Sequence, residues 1–385
     1  MKPVTIQAVH SLEERKEFLR FPWEIYQSDP HWVPPIFSER VQFTDPEHNP
    51  FFQHAEVDFF QAKRGDQTVG TIAAFTNFRH NEYHQENIGF FGFFEVLQDP
   101  EAAQSLLTTA EDWARERGHN ALRGPAQFDT NDECGLLVDG FDDSPRILMT
   151  YNPPYYQQYL EDCGYQKEID LWAYKLGTQE FIAKIGERLN RLTNKILARR
   201  NIVVRKLDMK IFDAEVEKVK NLYNGAWSKN WGFVPMDDAE FDHLAEELHQ
   251  IIDPDLVFIA EKEGQPVGFS LSLLDLNQPL RLAYPRPNTP EWWLMAKLGW
   301  HWKVRGQVDW VRVFALGVIS EFRSLGIDAV FYYRTAQEAI KKGIKFGEMS
   351  WILENNAEMN KPIQAMGSEV YKTYRFYQKD LSLTP

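Results

Sequence analysis

Cysteine is nearly absent from this chain: two in 385 residues, Cys134 and Cys163, far apart in sequence. Two thiols so placed match no metal-ligand spacing and no disulfide framework. That excludes a small secreted scaffold and makes a reducing, cytoplasmic setting the expectation. Neither cysteine stands in an activating context, so both read as core or loop thiols and not as nucleophiles. Also missing is any apolar run near the roughly 18 residues that a membrane span needs. The opening MKPVTIQAVHSLEERKEF lacks the apolar core of a signal peptide. Positive charge is in deficit, with 42 Lys and Arg against 56 Asp and Glu and a net charge of −14. Such a balance repels polyanions at long range, so nucleic acid is not an expected partner. An anionic ligand must then be held locally, by amides and a few basic side chains. His80 and His84, or His243 and His249, come without the acids of a metal motif, and no metal is expected.

Aromatic residues are plentiful: 14% of the chain, including 12 tryptophans. Most should be core, because these rings bury area efficiently. The order of elements repeats. In the first half a strand-like Val4 to Val9 precedes a polar helix, a hairpin-like pair (Val57 to Ala62, Thr68 to Ala74) and an almost continuously apolar run, Ile88 to Leu97. Such a run suits a strand buried on both faces. Asp99-Pro100-Glu101 then reads as a helix start, with a capping Asp and Pro in the first turn. In the second half a basic helix from about Glu180 to Arg200 leads to a strand and two helices. A hairpin (Leu256 to Glu261, Pro266 to Leu273) follows, then a buried strand, Trp310 to Val318. A helix from near Arg323 to Gly343 and a strand from Lys345 to Leu353 complete the set. The sequence therefore predicts an α/β protein with mixed sheets in two domains, 1–177 and 178–385.

Chemistry enters where the buried strand ending in Gly317-Val318 runs into SEFRSLGID and a helix. Free amides at such a loop favour a phosphate. An Arg three residues before a Gly lets the backbone approach the anion while a cation covers it. This segment resembles the coenzyme A pyrophosphate loop of the GNAT acyltransferase superfamily, Gln/Arg-x-x-Gly-x-Gly/Ala. Arg323 and Gly326 match; Asp328 stands where the family has a small residue, and Ala329 follows one place late. The superfamily often shows Asn and, about eleven residues later, Gly; Asn356 and Gly367 have that separation, while Ile363 takes the place of a frequent Tyr. The first half has the same order but the loop QDPE, whose Asp99 and Glu101 repel a pyrophosphate. It is similar to a degenerate GNAT domain without a coenzyme loop. Stretches such as GFFGFFE, YNPPYY, NWGFVP and SWILENN resemble a bacterial family of tandem GNAT-like proteins, some linked to N-acylation of long-chain amines.

The resemblance implies an acyl-CoA-dependent N-acyltransferase that moves an acetyl or longer group from acyl-CoA to a small-molecule or lipid amine. The alternative is a non-catalytic ligand-binding or interaction protein on the same scaffold. Coenzyme contacts are expected from Gly317, Val318, Arg323, Ser324, Leu325, Gly326 and Ile327, with the Gly317 and Val318 amides as oxyanion donors. A base is sought in Glu348 or Glu354, which strand alternation puts on one face with Ser350; the competing reading is hydrogen-bonded structural acids. Asn356 and Tyr371 complete the catalytic candidates, Tyr371 as a replacement acid whose ordinary reading is strand packing. Acceptor contacts are sought in Asn230, Trp231 and Phe233, where a loop pinned by buried rings is equally open, and in Trp351. Trp292, Trp293, Trp300 and Trp302 are expected in a helix packed across the domain interface. A wall for an acyl chain or a peripheral membrane contact are the other readings.

Overall fold

The computed structural model describes residues 2–228 and 230–382; of Asn221 and Ser324 only the backbone is described. The chain forms two compact units. The first comprises the chain up to Leu171, Pro279–Arg305 and the stretch from Lys372; the second comprises Trp172–Gln278 and Gly306–Tyr371. Strands in chain order are β1 (Val4–Ala8), β2 (Ala55–Arg64), β3 (Gln67–Asn77), β4 (Ile88–Val96), β5 (Ala121–Gly124), β6 (Leu136–Asp139) and β7 (Gln166–Gly177). They continue as β8 (Ile202–Lys206), β9 (Val257–Lys262), β10 (Gln265–Leu274), β11 (Trp310–Val318), β12 (Phe346–Leu353) and β13 (Glu369–Asp380).

The first unit runs β1-β2-β3-β4-β5 and then the later part of β13, which β6 also pairs. The helix Pro100–Glu116 starts as its sequence dictates: Asp99 accepts from the Ala102 N–H and Pro100 fills the first position. Its stripe of Ala102, Leu106, Leu107, Ala110, Trp113 and Ala114 is buried in the core with Ile72, Ala74 and Phe91. The second unit repeats the scheme, with the order β8-β9-β10-β11-β12 ending at the later part of β7. Glu263 and Gly264, both with positive φ (53° and 79°), close the β9–β10 hairpin with the turn that suits twisted strands. The helix Ile327–Lys341 buries Ile327, Val330 and Phe331 against Phe258, Ala260 and Val267.

Two expectations change. The basic helix near 180–200 is broken: Thr178–Phe181, a π turn over Ile182–Gly186, then Glu187–Arg199. Gly186 lies where a Cβ would sit 3.2 Å from the Tyr333 ring, and the wider turn accommodates this approach. The tryptophan segment forms the helix Glu291–Gly299 and a π turn Trp300–Val304, within the first unit. Its inward face is Leu294 and Leu298, leaving Trp292, Trp293 and Trp300 exposed by 72%, 47% and 55% and not packed as an internal helix. The stretch leading into it is anchored by Trp23 Nε1 to the Pro285 carbonyl (2.9 Å) and by Arg281 to the Pro30 carbonyl (3.0 Å). Among the described residues no helix is long and apolar enough to cross a membrane.

One close approach tests this architecture. A Cβ on Gly92 would fall 1.7 Å from the Ala126 carbonyl oxygen, a backbone atom that cannot swing aside. Gly92→Ala should therefore destabilise the first unit by about 3 kcal/mol, the upper end of overpacking costs. Urea unfolding followed by circular dichroism, with an unchanged midpoint counting against this packing, checks it.

Candidate active site

β11 and β12 pair in parallel over four registers only, Trp310↔Phe346 to Val313↔Met349. Beyond Val313 and Met349 both strands run on without pairing to each other, forming a fork. The cause lies on the other side of β11, where its register with β10 shifts between Leu271 and Ser272 and leaves Phe314 as an extra residue. A bulge of this kind bends the strand that carries it. At the root of the fork Arg312 and Glu348 are direct register partners. Glu348 is 1% and Arg312 3% exposed. Arg312 Nε donates to Ser350 Oγ at 2.9 Å, and Ser350 Oγ donates to Glu348 Oε1 at 2.5 Å. The guanidinium stands 3.9 Å from the same carboxylate, and the Tyr371 hydroxyl donates to its other oxygen. The Tyr371 ring stacks on Trp310 at 5.8 Å. A buried charge pair is tolerable when its remaining hydrogen-bond capacity is met, as here.

Alternation joins Glu348 with Ser350 as expected, but β12 ends at Leu353 and Glu354 falls in the following turn. Asn356 caps the helix Ala357–Ala365 by accepting from the Met359 N–H. The Glu354 carbonyl accepts from Asn360, whose side-chain oxygen takes the Tyr174 hydroxyl at 3.0 Å. Trp351 is half-buried in β12, and Ile363 is fully buried in the core beside Tyr174.

The loop after β11 is built around two glycines. Gly326 adopts φ 74°, and a Cβ there would lie 2.9 Å from Thr193 Cγ2. Gly317 lies beneath the Trp227 ring, which a Cβ would meet at 2.5 Å. Arg323 folds back over the loop: Nε donates to the Val318 carbonyl at 3.1 Å and Nη2 to the Ala226 carbonyl at 2.9 Å. Ile319 N–H donates to Val267 O at 3.1 Å, on the β10 side. Strand alternation then turns the Gly317 N–H the same way and the Val318 N–H toward the fork. Asp328 lies in the first turn of the helix Ile327–Lys341; burial raises its pKa against the lowering effect of the neighbouring Ala329 and Asp328 N–H groups. Leu325 is half-buried, Ile327 is core, and the Ser324 side chain lies outside the described atoms. The candidate acceptor loop folds on itself: Asn230 N–H bonds the Trp227 carbonyl at 2.8 Å, Phe233 is buried against Tyr223, and Trp231 is half-buried. Asn224 fixes this loop through both the N–H and the carbonyl of Met236.

The first unit has the same fork, β4 and β5 pairing only from Ile88↔Ala121 to Phe90↔Arg123. Here it is filled. Ala126 N–H bonds the Phe91 carbonyl at 3.0 Å. The Tyr156 hydroxyl accepts from Val96 N–H at 2.7 Å, and Tyr155 donates to the Val96 carbonyl at 2.8 Å. Arg64 neutralises the loop acids, at 2.6 Å from Asp99 and 2.7 Å from Glu101. Beneath lies Glu95, which one oxygen ties to the Tyr26 (2.9 Å) and Tyr156 (2.8 Å) hydroxyls. Burial raises its pKa to about 7 against the lowering effect of both phenols.

Compared with curated proteins, the chain is 36% identical over 383 residues to the bacterial ceramide synthase of Caulobacter vibrioides, covering 98% of both chains. The chain belongs to that family. It is also 32% identical over 370 residues to protein YghO of Escherichia coli, covering 95% of this chain and 93% of YghO. No family model matches it. Among solved structures, a tandem GNAT protein from the clavulanic acid biosynthesis pathway superposes with a TM-score of 0.55 at 10% identity, over 99% of this chain and all of that one. A GCN5-related N-acetyltransferase from Sphaerobacter thermophilus gives 0.50 at 13% identity, over 100% of this chain and 98% of that one. The tandem GNAT fold is thus shown, as the sequence resemblance implied.

Arg312 is the residue of this site that sequence reading missed. Its signal was an arginine in the middle of an apolar strand, WVRVFALGV, which demands a buried acid across from it. For Glu95 the sign of the pH effect is definite. Its carboxyl binds protons more tightly folded than unfolded, so its contribution is full below the unfolded value of 4.5 and is lost as pH rises to about 7. The loss amounts to about 3 kcal/mol. Glu95→Gln, which keeps an acceptor for both phenols, should be more stable than the native chain at pH 8 and not at pH 4.5. Parallel denaturation curves at the two pH values check this.

Proposed function

We propose that this protein transfers an acyl group from acyl-CoA to the amine of a long-chain amino alcohol, with the second unit holding the acyl donor. The observation that carries the reading is the open fork of β11 and β12, which leads from the Arg312–Glu348–Tyr371 cluster to the Gly326 loop. An extended ligand can hydrogen-bond to the strand edge left free beyond Val313, as peptides do at open sheet edges. Gly326, at φ 74°, opens the helix Ile327–Lys341, and backbone N–H groups at such a turn favour an anion. The name of the Caulobacter relative supports a lipid amine as acceptor.

The chemistry is direct attack of the amine nitrogen on the thioester carbon. The new C–N bond forms while the Val318 N–H, directed to the fork, donates to the developing oxyanion. The amine proton moves to the Tyr371 oxygen as the Tyr371 proton shifts to Glu348. When the C–S bond breaks, the same relay returns the proton to sulfur. Arg312 and Ser350 hold the Glu348 carboxylate in place throughout. Arg323, tied to Val318 and Ala226, keeps the loop in shape and supplies its cation. Glu354, Asn356, Asn230, Trp231, Phe233 and Trp351 frame the turn, the helix cap and the acceptor loop around this route.

A second reading has its own observation. Asp328 puts an acid in the first turn of the helix, where a pyrophosphate would bind, and Ile363 puts no hydroxyl where related enzymes often place one. A scaffold kept for binding alone would show the same features. Calorimetric titration with coenzyme A, acetyl-CoA and palmitoyl-CoA, followed by mass spectrometry of palmitoyl-CoA mixed with sphinganine, separates the two. Binding and an amide product support transfer; binding without product supports the scaffold. Asp328→Ala should tighten coenzyme binding about fivefold by removing a like charge. Arg323→Ala should weaken it by tenfold or more. Unchanged affinity in both would remove the loop from the site. Tyr371→Phe should keep binding and lower turnover by about 10²-fold or more, the size of a lost proton-transfer group.

A further inference from the structure

The helix Glu291–Gly299 and its π turn carry large apolar residues on more than the side they bury. Leu294 and Leu298, four residues apart, are 3% and 9% exposed and face inward. On the other side Trp292, Trp293 and Trp300 recur at helical spacing, joined by Met295 at 51% and Val304 at 63% exposure. Trp292 and Trp293 meet edge to face at 5.8 Å, so the patch is continuous where it begins. A run of large apolar side chains left on the outward side of a helix marks an interaction or lipid surface. The stretch leading into this helix is tied to the first unit, Trp23 and Trp32 meeting Pro285 and Tyr284 and Arg281 the Pro30 carbonyl, and the helix's outer rings stay in solvent.

Charge identifies what covers it. Between Pro279 and Arg305 stand Arg281, Arg286, Lys297, Lys303 and Arg305 against the single acid Glu291, a local charge of +4 on a chain of −14. Lys303 Nζ lies 3.6 Å above the Trp302 ring and Lys297 Nζ 5.8 Å from the Trp293 ring centroid. Tryptophan mixed with lysine is the composition of a helix lying at the boundary of headgroups and acyl chains. We infer that residues 291–305 are a membrane-docking element which lies flat on an anionic bilayer, inserting Trp292, Trp293 and Trp300. Its 14-residue helical stretch, about 20 Å at 1.5 Å per residue, is too short to span and long enough to lie in the interface. The inference goes beyond acyl transfer and does not rest on it, since docking is read without turnover.

Flotation on a density gradient tests it, using the full chain with vesicles of phosphatidylcholine alone and of phosphatidylcholine with one quarter phosphatidylglycerol. The native chain should float with the anionic vesicles, and added salt should release it. Trp292→Ala/Trp293→Ala/Trp300→Ala should reduce the bound fraction by about tenfold or more at an unchanged melting temperature, because the rings are exposed. Lys297→Glu/Lys303→Glu/Arg305→Glu should abolish the preference for anionic lipid. The inference is overturned if the native chain stays with neither vesicle, or if the tryptophan variant floats as well as the native chain. It is overturned equally if light scattering shows a dimer that the tryptophan substitutions dissolve, since a second copy then covers the patch.

Discussion

Two opposite charges buried at the parting of two parallel strands set the terms for the second unit. Arg312 and Glu348 are register partners, almost wholly out of water, and each is tolerable there only because the other is present. That requirement fixes the register of β11 on β12, because a slip of one residue would send either side chain to the opposite face. With the register fixed, the bulge at Phe314 must open the strands on the far side of Val313. The free edge, the inward-turned Val318 amide and the glycine loop are consequences of where the charges sit. Ser350 and Tyr371 complete the carboxylate's coordination, so the group best placed to take a proton is also the one that holds the fork in shape.

The two units use the same architecture to opposite ends. Each has a parallel pair that separates early and a helix that begins just beyond it. In the first, Tyr155 and Tyr156 supply the hydrogen bonds that the free strand edge lacks, and Arg64 neutralises Asp99 at the helix start. Ligand-like groups of the protein itself fill the place. In the second, no tyrosine among the described residues fills the strand edge, whose Val318 carbonyl takes Arg323 Nε, while Asp328 lies in the first turn of the helix. An acid in that position stabilises the helix when nothing else is bound and opposes an incoming pyrophosphate. Stability of the empty loop and affinity for the coenzyme are therefore set against each other at one residue.

How much was legible in the sequence follows from how local each signal is. Apolar runs, the Asp99-Pro100 cap and the hairpin turns are local, and they placed the strands and helices correctly. The alternation in β12 joined Glu348 to Ser350 because both lie inside the strand. It failed for Glu354, because the alternation was carried one residue past Leu353, where the expected strand and the observed one both end. Tyr371 was named, but its bond to Glu348 joins strands 23 residues apart, beyond any local pattern. Arg312 escaped because a single arginine in an apolar run is read as an interruption until its partner strand is known. The tryptophan helix was misjudged for a related reason: an apolar stripe predicts burial, whereas this helix carries large apolar residues beyond the Leu294–Leu298 stripe that it buries.

The charge of the chain makes these local devices effective. An acidic protein approaches an anionic membrane or an anionic coenzyme against its own long-range field. Local concentrations of positive charge, in the segment from Arg281 to Arg305 and in the helix Glu187–Arg199, offset that repulsion where they lie. The +4 segment is attracted to an anionic bilayer, whereas the remainder of the chain is acidic in sum and is repelled by it. A uniformly basic protein would bind such a surface in many orientations and would also bind nucleic acid. Here the apolar rings contribute affinity once contact is made, and the acidic background decides which contact that is.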